Sequence, residues 1–338
     1  MKGEPAHKPE IQIGGQAVIE GVVMRGPDRW ALAVRRPDES LFITVNPTRT
    51  LAQRYPRANV FGVRGILGLA DSLIIGYKSL SISAGISLEE AEAEVPSGDE
   101  AAPAASEEEP APEKKKARRR GERPEKERRE REPGELGPEM WVAMAIALVL
   151  FVGLFIIVPT LIAKRLDAYL TNTVVYNLVE GGIRIAFFVA YLALMSLIPD
   201  IRRVFAYHGA EHMVVHAYEH GVTLNPESAE HYSTAHMRCG TAFLLIVLVA
   251  SVLIFSLLGR PAVWLRILER VALIPLVAAL AYEIIRFAGR HEDSRIMKVI
   301  MAPGLLLQSL TTRKPDREQL EVAIAALEAA VGPEEAAA

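Results

Sequence analysis

Runs of apolar residues in the second half of the chain form its strongest pattern. The stretch 141–163 contains 23 residues and no charge, and a helix needs roughly 20 apolar residues to cross a bilayer core. One of the other runs, which ends at Pro199, is shorter and would need Arg184 to reach back to the membrane surface. We therefore predict a membrane domain, 140–288, with four spanning helices at about 141–163, 179–199, 241–258 and 268–288.

The first sixty residues show a different pattern. Two runs rich in β-forming residues, 30–35 and 41–45, are separated by four turn-forming residues. This arrangement predicts a β-hairpin. We assign it to a small N-terminal β module that covers residues 1–62.

Residues 63–88 have apolar positions three and four apart, which is typical of an amphipathic helix. Because Arg64, Asp71 and Lys78 interrupt the run, we interpret it as unable to span a membrane. It would lie on a membrane surface or pack against the spanning helices. An ordinary soluble core helix is the alternative.

The segment 89–139 consists mainly of Glu, Ala, Pro, Lys and Arg, and we predict a disordered charged linker because it cannot bury enough apolar surface. Residues 289–338 are predicted to be cytoplasmic helices, ending in a surface helix that begins near Asp316. The predicted fold class is therefore mainly α: a polytopic membrane protein of about four spans, with a small β module and a cytoplasmic histidine-rich loop at 200–239.

Charge indicates which side of the membrane each part occupies. Four spans place both termini and the loop 200–239 on the same side, where the basic residues before the first span and after the last are concentrated. By the positive-inside tendency this side is the cytoplasm. The formal net charge of -3 gives no reason to expect nucleic acid as a partner. The expected partner is the lipid bilayer.

Six of the eight histidines lie between residues 208 and 236. Residues four apart share one face of a helix, so His208 and His212 could bind one ion together, with Glu211 beside it. This H-x-x-E-H spacing is the inverted form of a zinc-hydrolase motif, in which the glutamate is the general base. The sequence therefore predicts a divalent metal site, most naturally for zinc. Solvated surface residues on a helix are the alternative.

A third ligand must come from elsewhere in the chain. His236 and Cys239 stand three residues apart before the third predicted span and suit a shared ion. Cys239 could equally be a small buried thiol. Glu283 is a further candidate because an intramembrane carboxylate suggests a function, although a pair with Arg286 would also explain it.

Four sequence blocks resemble the YqhQ family of bacterial multi-pass membrane proteins, a domain-of-unknown-function family described as predicted metal-dependent enzymes. The blocks are GGQAVIEGVVMRGP at 14–27, YHGAEH at 207–212 with YE at 218–219, HMRCGTAFL at 236–244 and APGLLLQSLTTRKPD at 302–316. The resemblance implies a multi-pass protein of the bacterial cytoplasmic (inner) membrane with a metal centre, and it implies no known reaction.

The resemblance, carried over position by position, supports the site candidates already named and adds Glu219. Those candidates are His208, Glu211, His212, His236 and Cys239. The resemblance does not require histidine at positions 216 and 220, so it implies that the second H-x-x-E-H is accidental. The first block adds Glu20 and Arg25, polar residues among glycines whose backbone would approach something closely. Glu20 would then reach the histidine cluster, and a structural salt bridge between Glu20 and Arg25 is the alternative.

Three functions follow as hypotheses. The first is a cytoplasm-facing zinc hydrolase that acts on a lipid-linked or membrane-protein substrate, with Glu211 as the catalytic base. The second is a membrane scaffold or adaptor whose metal only fixes the loop. The third is an ion transporter in which Glu283 and the histidines line a path.

Overall fold

The computed structural model describes residues 13–93, 138–291 and 294–332. Most of the predicted linker 89–139 therefore lies outside the described residues. The strands are β1 Gly14–Val18, β2 Gly21–Arg25, β3 Arg29–Arg35 and β4 Leu41–Pro47. The helices are α1 Leu51–Arg54, α2 Val63–Ala93, α3 Pro138–Val152, α4 Val158–Lys164, α5 Thr173–Met195, α6 Pro199–Glu219, α7 Pro226–Ala229, α8 Gly240–Ser256, α9 Val263–Ala288, α10 Arg295–Thr311 and α11 Arg317–Val331. A π-helical turn, Gly153–Ile157, joins α3 to α4.

The four strands form one antiparallel sheet in chain order. The predicted hairpin is confirmed, since β3 pairs with β4 and Arg35 lies opposite Leu41. Side chains alternate between the two faces of a strand, and both faces of this sheet are covered. Val22 and Met24 pack with α6 and α11, whereas Val23 and Leu32 pack with α2. The sheet is therefore built into the protein by helices that come from distant parts of the chain.

The last helix, α11, begins with a capping box in which Asp316 and Gln319 satisfy each other's backbone N–H groups. Its predicted apolar face is buried against the sheet and α6. The face consists of Leu320, Ile324, Leu327 and Val331. We predicted a surface helix, and the structure shows that it covers much of the protein's main core.

Among the described residues, four helices are long and apolar enough to cross a membrane, at 63–87, 145–164, 173–195 and 263–288. The predicted number is the same, but the members differ. The helix at 63–87 meets the criteria although we interpreted it as too interrupted, and α8, predicted as the span 241–258, is a shorter apolar helix of 17 residues.

Two of the three charges that argued against α2 as a span have partners. Arg64 forms an ion pair with Glu283 of α9, and Asp71 accepts hydrogen bonds from the backbone N–H of Leu51 at 3.0 and 3.1 Å. Gly65 and Gly68 of α2 lie against Tyr282. The helix thus contacts α9 near its C-terminal end and covers one face of the sheet, in agreement with the interpretation that it packs on a spanning helix.

The region 200–239, which we described as a loop, is largely helical. Helix α6 occupies 20 of its residues and α7 adds one more turn. Ten residues of α6 are buried, because the helix packs against the sheet and α11. The histidines therefore stand on a rigid core element rather than on a flexible loop.

Arg184 is only 4% exposed and does not reach a membrane surface, which corrects our expectation. Its Nε donates to the carbonyl of Phe155, at 2.8 Å, within the π-helical turn. Glu180, at 1% exposure, accepts hydrogen bonds from Arg184, Arg270 and Thr160. The arginine is retained in the bundle because a carboxylate and a backbone carbonyl replace the water that it would lose.

Glu180→Gln is expected to destabilise the protein by about 3–5 kcal/mol, because two buried guanidinium groups would lose the carboxylate that pairs with both. Unfolding in mixed detergent micelles would measure the loss. Glu269→Gln, on α9 beside Arg270, is the matched control, and an equal effect of the two substitutions would contradict the prediction.

Candidate metal centre

His208 and His212 lie one turn apart on α6, with ring centroids 4.4 Å apart. The Nδ1 atom of His208 is 2.8 Å from the carbonyl oxygen of Thr311, and that of His212 is 2.5 Å from the carbonyl of Thr234. A carbonyl only accepts, so each Nδ1 carries a proton, and Nε2 is the ring nitrogen left to bind an ion. This is the hydrogen-bonding arrangement of metal-ligating histidines, in which the outer bond fixes the ring orientation and the tautomer.

Cys239 brings a thiol to these two imidazoles. It is the N-cap of α8, and its Sγ lies 3.2 Å from His208 Nε2. One ligand atom from each of Cys239, His208 and His212 lies within 4.8 Å of the other two. Two ligands at about 2.0–2.3 Å from a tetrahedral zinc ion lie somewhat under 4 Å apart, so this spacing is close to that of a zinc site.

The surroundings of Cys239 favour its thiolate. Burial alone raises the pKa of the thiol, but the hydrogen bonds and charge of His212 and the hydrogen bonds of Thr241 together bring the pKa below its usual value. Position at a helix N-terminus acts in the same direction. A thiolate and two imidazole nitrogens form a donor set that suits a borderline-soft ion such as Zn²⁺.

Glu211 lies between the two histidines in sequence and is 6% exposed. Its Oε2 is 3.4 Å from His212 Nε2. On its other side the carboxylate approaches the backbone of β1, where a Cβ added to Gly15 would come 2.6 Å from Glu211 Cγ and 2.8 Å from its Oε1. The close approach that the glycines of the first block predicted is therefore made to this carboxylate.

Gly15→Ala is expected to displace Glu211 and to lower the protein's stability by about 1–3 kcal/mol, the usual cost of inserting a methyl group into a packed site. Metal content should stay unchanged, because no ligand is removed. Gly14→Ala is the matched control, since a Cβ there meets nothing within 4 Å. Equal effects of the two substitutions on thermal unfolding would contradict the prediction.

These residues open into a cleft of about 880 Å³. Its floor includes His208, Glu211, His212 and Cys239, and its walls come from β1, α2, α8 and α9. Most of the wall residues are apolar or aromatic: Leu69, Leu73, Leu80, Phe243, Leu244, Tyr282 and Ile285. The cleft can therefore accommodate an apolar chain beside polar, ionisable groups.

A second cluster joins His216, Glu219 and His236, whose ligand atoms also lie within 4.8 Å of one another. His236 Nδ1 accepts the backbone N–H of Arg238 at 3.2 Å, so the proton resides on Nε2, which faces Glu219 Oε2 at 3.3 Å. Arg238 also forms an ion pair with Glu219. A cation and a protonated ring nitrogen disfavour a metal ion here. The cluster is better explained as a hydrogen-bond network that positions the segment of chain before Cys239.

His216 is neutral in this network. Burial, assisted by the neighbouring histidines, lowers its pKa to about 4, although a hydrogen bond to the carbonyl of Ala235 opposes the shift. His216 Nε2 lies 3.0 Å from that carbonyl. Of the two histidines in the second H-x-x-E-H, which the resemblance does not require, His216 takes part in this hydrogen-bond network and His220 is exposed.

The structure pairs the remaining candidates elsewhere. Glu20, in the β1–β2 turn with φ 52°, pairs with Arg203 and accepts a hydrogen bond from Tyr207 at 3.2 Å. Arg25 lies 3.9 Å from Asp71, so the suggested Glu20–Arg25 salt bridge is not formed. Glu283 pairs with Arg64 rather than mainly with Arg286.

Sequence reasoning missed the residues that hold the site together. Gln308 is fully buried and both donates to and accepts from the backbone of His236, at 2.8 Å in each case. The backbone of Arg313 passes very close to Gly209, and a Cβ added to Gly209 would lie 2.0 Å from the carbonyl oxygen of Arg313. Gln308 and Arg313 belong to the fourth sequence block, and membership of that block was their only sequence signal. Thr311 and Thr234 act through backbone carbonyls, which no side-chain pattern reveals.

The fold and the site together define a helical protein whose described part has four membrane-length apolar helices and a His–Cys–Glu cluster in an apolar cleft. The chain belongs to the family described as "Protein of unknown function (DUF1385)", whose model matches residues 62–333. It is 31% identical over 329 residues to "Uncharacterized protein YqhQ" of Bacillus subtilis (strain 168), and the match covers 94% of this chain and 92% of that protein. The predicted family is confirmed. No solved structure matches the chain.

Proposed function

We propose that this chain is a metal-dependent membrane enzyme, a zinc hydrolase that acts on a lipid-linked or membrane-protein substrate. The observation that carries the proposal is the meeting of His208, His212 and Cys239 beside Glu211 on the floor of the cleft. Three protein ligands are typical of catalytic zinc sites, which keep one position open for water or substrate. Structural sites usually have four.

Zinc, when bound, supplies Lewis acidity that makes water more acidic and polarises a carbonyl or phosphoryl oxygen. The Glu211 carboxylate accepts one proton from the attacking water while the water oxygen bonds to the electrophilic carbon or phosphorus. As the bond to the leaving group breaks, Glu211 returns that proton to the leaving group. The carbonyl oxygens of Thr311 and Thr234 hold the two imidazoles in the orientation in which Nε2 would bind the metal.

The cleft supports a substrate that carries an apolar segment. Its apolar walls lie next to α8 and α9, so a lipid chain or a membrane-embedded peptide could enter from the bilayer while its scissile bond reaches Glu211. We place the protein in the bacterial cytoplasmic membrane with both termini and the metal centre in the cytoplasm, on the basis of the positive-inside tendency. In this proposal α3–α4, α5, α8 and α9 are the four crossings.

The competing functions receive less support. A transport path through Glu283 would need a free carboxylate, but this one is paired with Arg64 and accepts from the backbone N–H of Gly62 at 3.4 Å. A scaffold with a structural metal would need a fourth ligand, and Glu211 is the side chain that could supply it. Substitution of that glutamate therefore separates an enzyme from a scaffold.

Lipidomics and membrane proteomics of a deletion strain provide the direct test. If the protein is such an enzyme, its deletion should cause the substrate, an uncleaved lipid-linked molecule or membrane protein, to accumulate. A plasmid-borne copy of the chain should reverse the accumulation. Identical lipid and protein profiles with and without the gene would argue against hydrolysis.

A further inference from the structure

A second cavity, of about 680 Å³, lies at the other end of the helix bundle. Helices α8 and α9 each run between the two ends: α8 starts at Cys239 and α9 reaches the first cleft through Tyr282 and Ile285. The second cavity is lined by the end of α4 and by the chain around the start of α9. Because α4 and α9 belong to candidate membrane spans that end here, the cavity is at the level of lipid headgroups.

Among the charged residues that line this cavity, cations outnumber carboxylates. Lys164, Arg260 and Arg266 line it together with one carboxylate, Asp167, whose Oδ1 is 3.5 Å from Arg260. Arg260 is held by the carbonyl oxygens of Leu170 and Thr171, at 2.8 and 2.9 Å. The cavity therefore carries a formal excess of two positive charges in a place that borders the membrane.

Arg266 is the unusual member of this set, because it is only 5% exposed. Its guanidinium donates to the hydroxyl of Tyr176 at 2.9 Å and to the carbonyl of Pro261 at 3.2 Å, and both partners are neutral. Its Nε has no hydrogen-bond partner among the residues that the structure describes. None of the ion pairs within the described part of the chain includes Arg266, and a buried cation without a carboxylate is costly unless an anion binds beside it.

The start of α9 adds a second feature that attracts anions. Its N-cap is Ala262, which offers no capping side chain, and its first turn contains no acidic residue. The first N–H groups of the helix therefore lack an intrahelical partner. Residues 261–264 line the cavity, so these N–H groups and the positive end of the helix dipole lie at its edge.

From these observations we infer that the cavity binds the phosphate group of an anionic phospholipid, on the membrane face opposite the metal centre. Lys164 and Arg260 flank the phosphate, Arg266 supplies the buried charge, and the N-terminus of α9 donates backbone hydrogen bonds. Trp264, which is 69% exposed, lies beside the cavity as an interfacial aromatic residue that contacts the lipid. Free phosphate would offer the same anion without the acyl chains, and the test separates the two.

Titration of the purified full-length protein with phosphatidylglycerol in phosphatidylcholine nanodiscs, with bound lipid counted by native mass spectrometry, tests this inference. Lys164→Gln should weaken phosphatidylglycerol binding about fivefold, since one cation near a membrane surface contributes about 1 kcal/mol. Lys164 is exposed, so the variant should fold. Arg165→Gln is the matched control, because Arg165 is exposed and adjacent but does not line the cavity; it should change binding less than twofold.

Three results would overturn the inference. Equal binding of phosphatidylglycerol and phosphatidylcholine would show that the phosphate site has no preference for an anionic lipid. Equal effects of the two substitutions would indicate diffuse surface charge. Competition by inorganic phosphate at the same concentrations as the lipid would indicate a site for a free anion.

Discussion

Replacement of His208 and His212 together by alanine is expected to remove the metal from the purified protein. Metal content should fall from about one equivalent of divalent ion to below about a tenth, because only Cys239 would remain of the three ligands. Elemental analysis by inductively coupled plasma mass spectrometry measures this directly. A chelator should lower the unfolding temperature of the wild type, since a bound metal stabilises the folded state by mass action, and it should leave the variant unchanged.

The matched control removes two other histidines of the same region. His220 and His231 are both exposed, and neither belongs to the two ligand groups found among the described residues. The His220→Ala, His231→Ala variant should keep the full metal content and the response to chelator. A wild-type metal content in the His208, His212 variant would show that the ion binds elsewhere.

Much of the membrane architecture could be predicted because hydropathy is a local property. The uncharged stretch 141–163 and the β3–β4 hairpin need no information beyond their own residues. We interpreted α2 as too interrupted by charge to span a membrane, because the partner that neutralises Arg64 is Glu283, more than two hundred positions away. The location of Arg184 was wrong for the same reason, since neither the Phe155 carbonyl nor the role of Glu180 is visible in a hydropathy pattern.

The candidate site divides in the same way. His208, Glu211 and His212 could be proposed from helical spacing alone, because residues three and four apart share a face. The choice between His236 and Cys239 could not be made, since it depends on Cys239 being the N-cap of α8. The sequence also gave no means to see that Gly15 approaches Glu211, which requires β1 to pack against α6.

Glu211→Gln is expected to abolish function while leaving the metal in place. The amide keeps nearly the same shape but cannot accept a proton at neutral pH, and loss of a general base costs about 10²–10⁴-fold in rate. The variant, expressed in the deletion strain, should leave the accumulated substrate at the level of the strain without a plasmid. Its metal content should equal that of the wild type, because the three ligands are unchanged.

Glu230→Gln is the control, since Glu230 is an exposed carboxylate of the same region that pairs with Lys314 and does not line the cleft. It should reduce substrate accumulation as the wild type does. Two results would defeat the catalytic assignment of Glu211 in different ways. Full complementation by Glu211→Gln would favour a scaffold, and loss of metal from the same variant would make Glu211 a fourth ligand of a closed, structural site.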